Sequence, residues 1–257
     1  MIKKIVICLM FMAFCSCASK KDVIYLQNVN TLSQDPALFE TKLQPDDLLM
    51  IVVSAPDLEA ALPFNLPVAA TMAASATSMD VVNAQVRYQN YLVDAKGFIE
   101  FPVIGSIQVG GLTKVQAQEK LVKEIKKYIN SPIVNLRIMN FKVSVLGEVV
   151  RPGVIDMATE RITLLEAISR TGDLTIYGNR SNIMIIREID GVKTYNYVDI
   201  TSADFVKSDF YYLRQNDIVY VQPNQIKVNS SAVGPNTTVI ISSVSLLITV
   251  VALIVRS

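Results

Sequence analysis

Asp46-Asp47 is the one adjacent carboxylate pair in the 257 residues, with Asp57 and Glu59 shortly after it. Two carboxylates do general acid–base work only where a cleft drives their pKa values apart. Here Pro45 precedes the pair and the apolar run Leu48–Val53 follows, so it reads as a turn capping a strand. The chain has no His and no Trp, so neither a His-activated nucleophile nor a His-ligated metal centre can be built. Its three cysteines, Cys8, Cys15 and Cys17, all lie near the N-terminus, and the body of the chain has no thiol. Gly105 and the pair Gly110-Gly111 open no helix carrying Lys-Ser/Thr and so mark turns, not a phosphate cradle. Tyr211, Tyr212 and Tyr220 could stack on sugar rings, although core or interface packing uses the same rings. With 24 basic against 23 acidic side chains, no basic surface for nucleic acid is expected. These residues support no catalytic assignment, cofactor or metal.

The elements that must position the remaining candidates begin at the chain ends. Lys3 and Lys4 precede an apolar run from Ile5 to Phe14, too short for a bilayer of about 30 Å and of the form of a secretory signal. It ends in Phe14-Cys15-Ser16-Cys17. A small residue before a cysteine at that place resembles a bacterial lipobox, which makes Cys17 the lipidated first residue after removal of residues 1–16. The alternative is an ordinary signal peptide whose cysteines are small hydrophobes. An exported chain without disulfides must be held by its core.

At the other end, Thr237 to Val255 contains no charge, Pro or Gly. As a helix it would measure about 28 Å, close to one hydrocarbon thickness. Thr238, Ser242, Ser245 and Thr249 follow one another at helical spacing on one face, with Ile240, Val244, Leu247, Val251 and Ile254 opposite. Two readings stand side by side. One is a single tail anchor whose hydroxyls bond back to the preceding turn. The other is a lipid-facing helix whose small polar stripe faces copies of itself or a water-filled lumen.

Between the ends the pattern is strand-rich. Residues 17–42 read as an extended tether, and the Ala-, Ser- and Thr-rich stretch 60–79 as a long mobile insert. Tyr91–Asp94, a turn at Lys96-Gly97 and Phe98–Phe101 form a strand–turn–strand unit punctuated by Pro102 and Gly105. Thr113-Lys114-Val115-Gln116 has the form of a capping box, and Val115, Leu121, Ile125, Tyr128 and Ile129 are expected on the buried face of its helix. Strands follow at Val134–Ile138 and Val143–Val145. A hairpin turns at Pro152-Gly153, and Thr163–Glu166 caps a second helix that stops at Gly172. Further strands are expected at Ile183–Ile186, Tyr195–Val198 and Ile218–Val221.

The segment Tyr91–Thr113 resembles the central motif of the outer-membrane polysaccharide export family. Leu43–Val53 is similar to that family's entry motif, with Asp46 in place of a glycine. Val145–Met157, Thr163–Asp173 and Leu213–Val221 resemble the soluble-ligand-binding β-grasp domain that accompanies it. The resemblance implies an α+β fold: a polysaccharide export domain over 43–140, one β-grasp (ubiquitin-like) domain over 141–224, and a C-terminal transmembrane helix over 237–255. Its structural motif positions are Pro45, Asp47, Gly97, Pro102, Gly105, Gly111 and Thr113, and the candidate lumen stripe is Thr238, Ser242, Ser245 and Thr249. It further implies a non-enzymatic outer-membrane lipoprotein, mostly periplasmic, that forms a ring of its own copies. An inner-membrane polysaccharide copolymerase would deliver a capsular or exopolysaccharide chain to that ring, and outer-membrane lipid would surround it. Only one β-grasp unit is present, where larger members have more, and the insert at 60–79 has no counterpart. The alternative function is a periplasmic sugar-binding or scaffolding lipoprotein with a membrane-anchoring tail.

Overall fold

The computed structural model describes residues 20–29, 40–67, 88–189, 191–232 and 236–256. Cys17, the signal segment and positions 68–79 of the insert lie outside the described residues.

Strand β1 (Leu48–Ser54) alternates buried and half-buried positions, with Leu49, Ile51 and Val53 turned into the core. It pairs antiparallel with β2 (Asn90–Leu92) on one side. Helix α1 (Leu58–Ala61) and a following 3-10 turn (Leu62–Phe64) come directly after β1. The Asn65 side chain accepts from the Val53 amide at 2.9 Å and donates to its carbonyl at 2.6 Å, and Phe64 is buried. The expectation of an irregular loop from residue 60 is therefore corrected at its start: an apolar anchor and an amide clamp order residues 60–65. Strands β3 (Phe98–Phe101) and β4 (Gly105–Gln108) form a hairpin.

Helix α2 (Lys114–Ile125) starts at a complete capping box. The Thr113 hydroxyl accepts from the Gln116 amide and the Gln116 side chain accepts from the Thr113 amide. Its buried side is Ala117, Leu121 and Ile125, continued by Ile129. These recur every four residues and set a stripe that excludes two expected members. Val115 is 55% exposed and Tyr128 57% exposed, because neither falls on that row. Strand β5 (Ile133–Ile138) returns antiparallel to the free side of β1 and completes the order β2-β1-β5.

The second domain is a mixed sheet with one helix across its inner face. Strands β6 (Lys142–Gly147) and β7 (Gly153–Asp156) make a hairpin, and β8 (Ile162–Thr163) leads into α3 (Leu164–Arg170) through a second complete capping box, Thr163 with Glu166. The long β9 (Gly178–Ile189) and β10 (Val192–Val198) are antiparallel, and β11 (Tyr212–Leu213) pairs only with β8. The last strand, β12 (Ile218–Pro223), inserts between β9 and β6, antiparallel to the first and parallel to the second. The sheet order is β10-β9-β12-β6-β7. Val143, Val145, Ile183, Ile185, Val219 and Val221 meet Leu164 and Ile168 of α3 in the core. Truncating any of these large aliphatic side chains to Ala should cost about 2–5 kcal/mol.

Residues 20–29 depart from the extended tether expected of them. The Leu26 amide donates to the Ile200 carbonyl at 3.0 Å, Gln27 forms a parallel bridge with Ser202, and the Ala203 amide donates back to Gln27 at 2.9 Å. Tyr25 and Leu26 pack against the core. The segment is a strap on the second domain, held by the apolar pair that its sequence contains.

After β12 come α4 (Gln225–Ala232) and α5 (Asn236–Arg256), whose side chains are described for 239–250 and for Ala252 and Leu253. Among the described residues no helix is long and apolar enough to cross a membrane. The transmembrane helix expected over 237–255 is thus not supported by the fold, which places the exposed apolar side chains of α5 against nothing else described.

Candidate functional site

The motif residues converge on the entry to β1. The turn Leu43–Asp47 needs a left-handed residue before the strand, and Asp46 has φ +69° there. That backbone favours glycine, and Asp is among the few side chains that tolerate it. Pro45 fixes the preceding position and stays exposed, while Asp47 is fully buried. One Asp47 carboxylate oxygen accepts from the Gln44 amide at 2.8 Å. The other is buried with no hydrogen-bond partner among the described residues. Burial pushes the Asp47 carboxyl up to about 6; the Gln44 amide pulls the other way, and the charges of Asp46 and Glu160 add to the rise.

Backbone bonds knit this turn to the rest of the motif. The Asp46 amide donates to Val93 and the Val93 amide to Asp47, both at 2.9 Å. The Leu43 amide donates to Leu112 at 2.9 Å, and the Gly111 amide donates back to Leu43 at 2.8 Å. Gly97 and Gly110 meet face to face: a Cβ on Gly110 would lie 2.5 Å from the Gly97 Cα. The Gly97 carbonyl accepts from both Val109 and Gly110 at 2.8 Å. Pairing of Gly97 with Gly110 was not visible in the sequence, where Gly110 read only as half of a turn dipeptide. Thr113 closes the cluster as the cap of α2. Pro102 and Gly105 do not join it; they shape the tip of the β3–β4 hairpin, with Val103 at φ +67° and Gly105 at φ +82°. This cluster is scaffolding: a buried turn, a glycine contact and a helix cap that fix the relative placement of β1, the hairpin and α2.

A second set of residues, which the motifs did not single out, fastens the two domains. Asn140 lies between them. Its side chain accepts from the Leu48 amide at 2.9 Å and donates to the Asp46 carbonyl at 2.9 Å, and its own carbonyl accepts from Gln215 Nε2 at 2.7 Å. Gln215, itself buried, also accepts from the Lys142 amide at 2.9 Å. Glu160 reaches from the second domain to Lys114 Nζ at 3.0 Å and to the Ile138 amide at 3.0 Å, and its carbonyl accepts from Thr41. Along this seam opens a cavity of about 320 Å³ lined by Thr41, Thr113, Lys114, Glu160 and Arg161. Single polar residues outside any run gave no sequence signal for the seam.

The second domain contains a buried ion pair. Arg187 donates through Nη2 to Asp217 at 2.6 Å and through Nε at 3.0 Å, and also to the Asp209 and Tyr212 carbonyls, with its guanidinium 4.8 Å from the Phe210 ring centre. Such a pair is costly to break because one charge is left buried alone. The signal was a lone Arg at an inward position of an apolar strand. At the strap, the Tyr25 hydroxyl donates to Asp173 and Arg180 lies 5.6 Å from its ring. Burial first, and then the Asp173 bond, push this hydroxyl up to about 12.

Of the α5 stripe, Ser242, Ser245 and Thr249 have described, exposed side chains, and that of Thr238 does not. Thr249 Oγ1 donates to the Ser245 carbonyl at 2.8 Å, and Ser243 Oγ to Val239 at 2.7 Å. Those two hydroxyls turn back onto the preceding turn of their own helix. Tyr211 and Tyr212 meet edge to face, ring centres 4.9 Å apart, and Tyr211 packs edge to face on Phe205. Among the described residues no group of His, Cys, Asp and Glu could hold a metal ion.

Residues 35–139 match the family described as polysaccharide biosynthesis/export protein, and residues 141–221 match the SLBB domain. These two spans support the polysaccharide export family. Among its relatives is the EPS I polysaccharide export outer membrane protein EpsA of Ralstonia solanacearum, 28% identical over 154 residues, which are 57% of this chain and 40% of that protein. The protein of the same name from Ralstonia nicotianae is 33% identical over 101 residues, 38% of this chain and 26% of its own length. The chain thus matches less than half the length of either relative. The node around Asp47 and the Gly97–Gly110 contact lie in the first matched span, the ion pair and α3 in the second.

Proposed function

We propose that this protein is an outer-membrane lipoprotein whose copies assemble into a conduit for a capsular or exopolysaccharide chain. It performs no chemistry of its own. Cys17 carries the lipid, residues 43–140 and 141–224 form the periplasmic export and β-grasp domains, and the polymer arrives from an inner-membrane copolymerase. The observation that carries the reading is the order of two matched spans, export domain then SLBB domain, joined by a polar seam that fixes one against the other. The relatives' names place them in the outer membrane and in polysaccharide export.

In this reading α5 meets the outer membrane as part of a group. Helices from several copies lie side by side, the small polar stripe Thr238, Ser242, Ser245 and Thr249 turned toward neighbours or water and the aliphatic side toward lipid. A conduit for a hydrophilic polymer needs weak, replaceable hydrogen bonds, since tight binding would hold the chain in place.

Deletion of the gene should abolish surface polysaccharide, measured by antibody or lectin on intact cells, and re-expression should restore it. Unchanged surface polymer would end the reading. An epitope placed after Ser257 tests the helix separately. Antibody labelling of intact cells means that α5 crosses the membrane; labelling only after permeabilisation, with the protein in outer membranes, favours the sugar-binding or scaffolding lipoprotein.

A further inference from the structure

The outer face of the five-stranded sheet is apolar in its middle and charged or polar along its ends. Ladder register puts Tyr195, Ile186, Ile218 and Val154 in one row across the sheet with Ser144, and Tyr197, Met184, Tyr220 and Leu146 in the next. Tyr195, Tyr197, Val154 and Leu146 are 60%, 58%, 60% and 45% exposed. No described element covers them. Beyond the first row stand two charged cross-strand pairs, Lys193 opposite Glu188 and Lys142 opposite Asp156. Beyond the second row, Asn182 donates to Gln222 at 3.0 Å. An apolar centre with a polar rim is the anatomy of a protein contact.

We infer that this face is a self-complementary contact between two copies of the chain. The order of the charges selects the occupant. Turning a second copy by half a turn about an axis parallel to β12 lays β10 of one copy on β7 of the other and β9 on β6, with β12 on itself. Lys193 then faces Asp156 of the second copy, and Glu188 faces Lys142. In the apolar rows Tyr195 meets Val154, Met184 meets Leu146, and Ile218 and Tyr220 meet themselves. Sheets packed in this way lie about 10 Å apart, with strands roughly 30° from parallel. The open apolar area is on the order of 600 Å² per copy, so about 1,200 Å² for the pair, which reaches the lower end of specific interfaces. The contact does not depend on the conduit. Rings close through head-to-tail surfaces, whereas an isologous face joins two chains and stops.

The test is cross-linking of the full-length protein in its membranes, with Tyr195→Cys and Val154→Cys in the same chain. These two positions are about 19 Å apart within one copy, across four strand spacings, so a short bifunctional thiol reagent joins them only between copies. The expected product is a species of two chains, because both links connect the same pair. A ladder of higher products would make the face a head-to-tail contact and overturn the two-fold. A product no more abundant than from a Lys126→Cys control at the C-terminal cap of α2 would overturn the contact altogether. Adding Lys193→Glu should lower the yield several-fold, and adding Asp156→Lys to that variant should restore it; recovery separates loss of complementarity from loss of folding. Surface polysaccharide in the same cells reports on the conduit independently.

Discussion

Asp47 is the residue whose environment makes the sharpest demand. Its carboxyl titrates near pH 6 in the folded chain and near 3.8 when unfolded. Between those values the folded state holds the extra proton, so stability falls as pH rises through that window and is level above it. The full penalty is on the order of 3 kcal/mol. Asp47→Asn should remove this slope: the difference in thermal midpoint between wild type and variant should change from pH 4 to pH 7 and then stay constant, read by circular dichroism. A constant difference across that range would refute the assignment. The glycines separate two causes of cost. Gly110→Ala drives a methyl group into the Gly97 backbone and should cost about 2–4 kcal/mol. Gly105→Ala meets nothing within 4 Å and should cost only about 1 kcal/mol for its positive φ. Denaturant titration of the two variants checks the order.

At the scale of elements, the two capping boxes were fully legible, because a Thr followed three residues later by Gln or Glu satisfies helix-end amides from the sequence alone. Thr113→Ala should cost about 1 kcal/mol and Thr163→Ala a similar amount, measured by the same melts. The inward alternation of β5 and β6 was equally legible, since it depends only on the two-residue period of a strand. Val115 and Tyr128 were misplaced because apolar character alone cannot tell which of several helix faces the sheet will meet. The strap was misread for a related reason: two apolar residues in a polar run have no period, and only the edge at Ile200–Ala203 reveals their use. The seam residues Asn140, Glu160 and Gln215 were silent because each works through backbone groups brought from far along the chain. Glu160→Gln removes the ionic contact to Lys114 but leaves an acceptor for the Ile138 amide. It should loosen the seam without unfolding either domain, seen as faster hydrogen exchange at Leu48 and Ile138 with the core of α3 unchanged.

For the molecule as a whole, the strap changes what counts as a domain. The second domain is built from β6 to β12 (Lys142–Pro223) and from residues 20–29, and the first domain lies between those pieces in sequence. Tyr25→Ala should therefore weaken the second domain selectively. Amides of residues 200–203 and of β9 should lose protection from exchange while those of β1 and β5 keep theirs. Equal loss in both domains would mean that the strap supports the seam instead. The bridge from Gln27 to Ser202 also joins residues far apart in sequence, so its formation carries a loop-closure cost.

That same bridge governs how the chain transmits mechanical load. A force applied between residue 20 and the start of α4 enters at the strap, crosses to the segment at Ile200–Ala203 and leaves through β12. The export domain, strung between Gln27 and Lys142, is a loop outside that path. Tension between residue 20 and the start of α4 is carried by strap and sheet, and the export domain takes up load only after the strap has torn away.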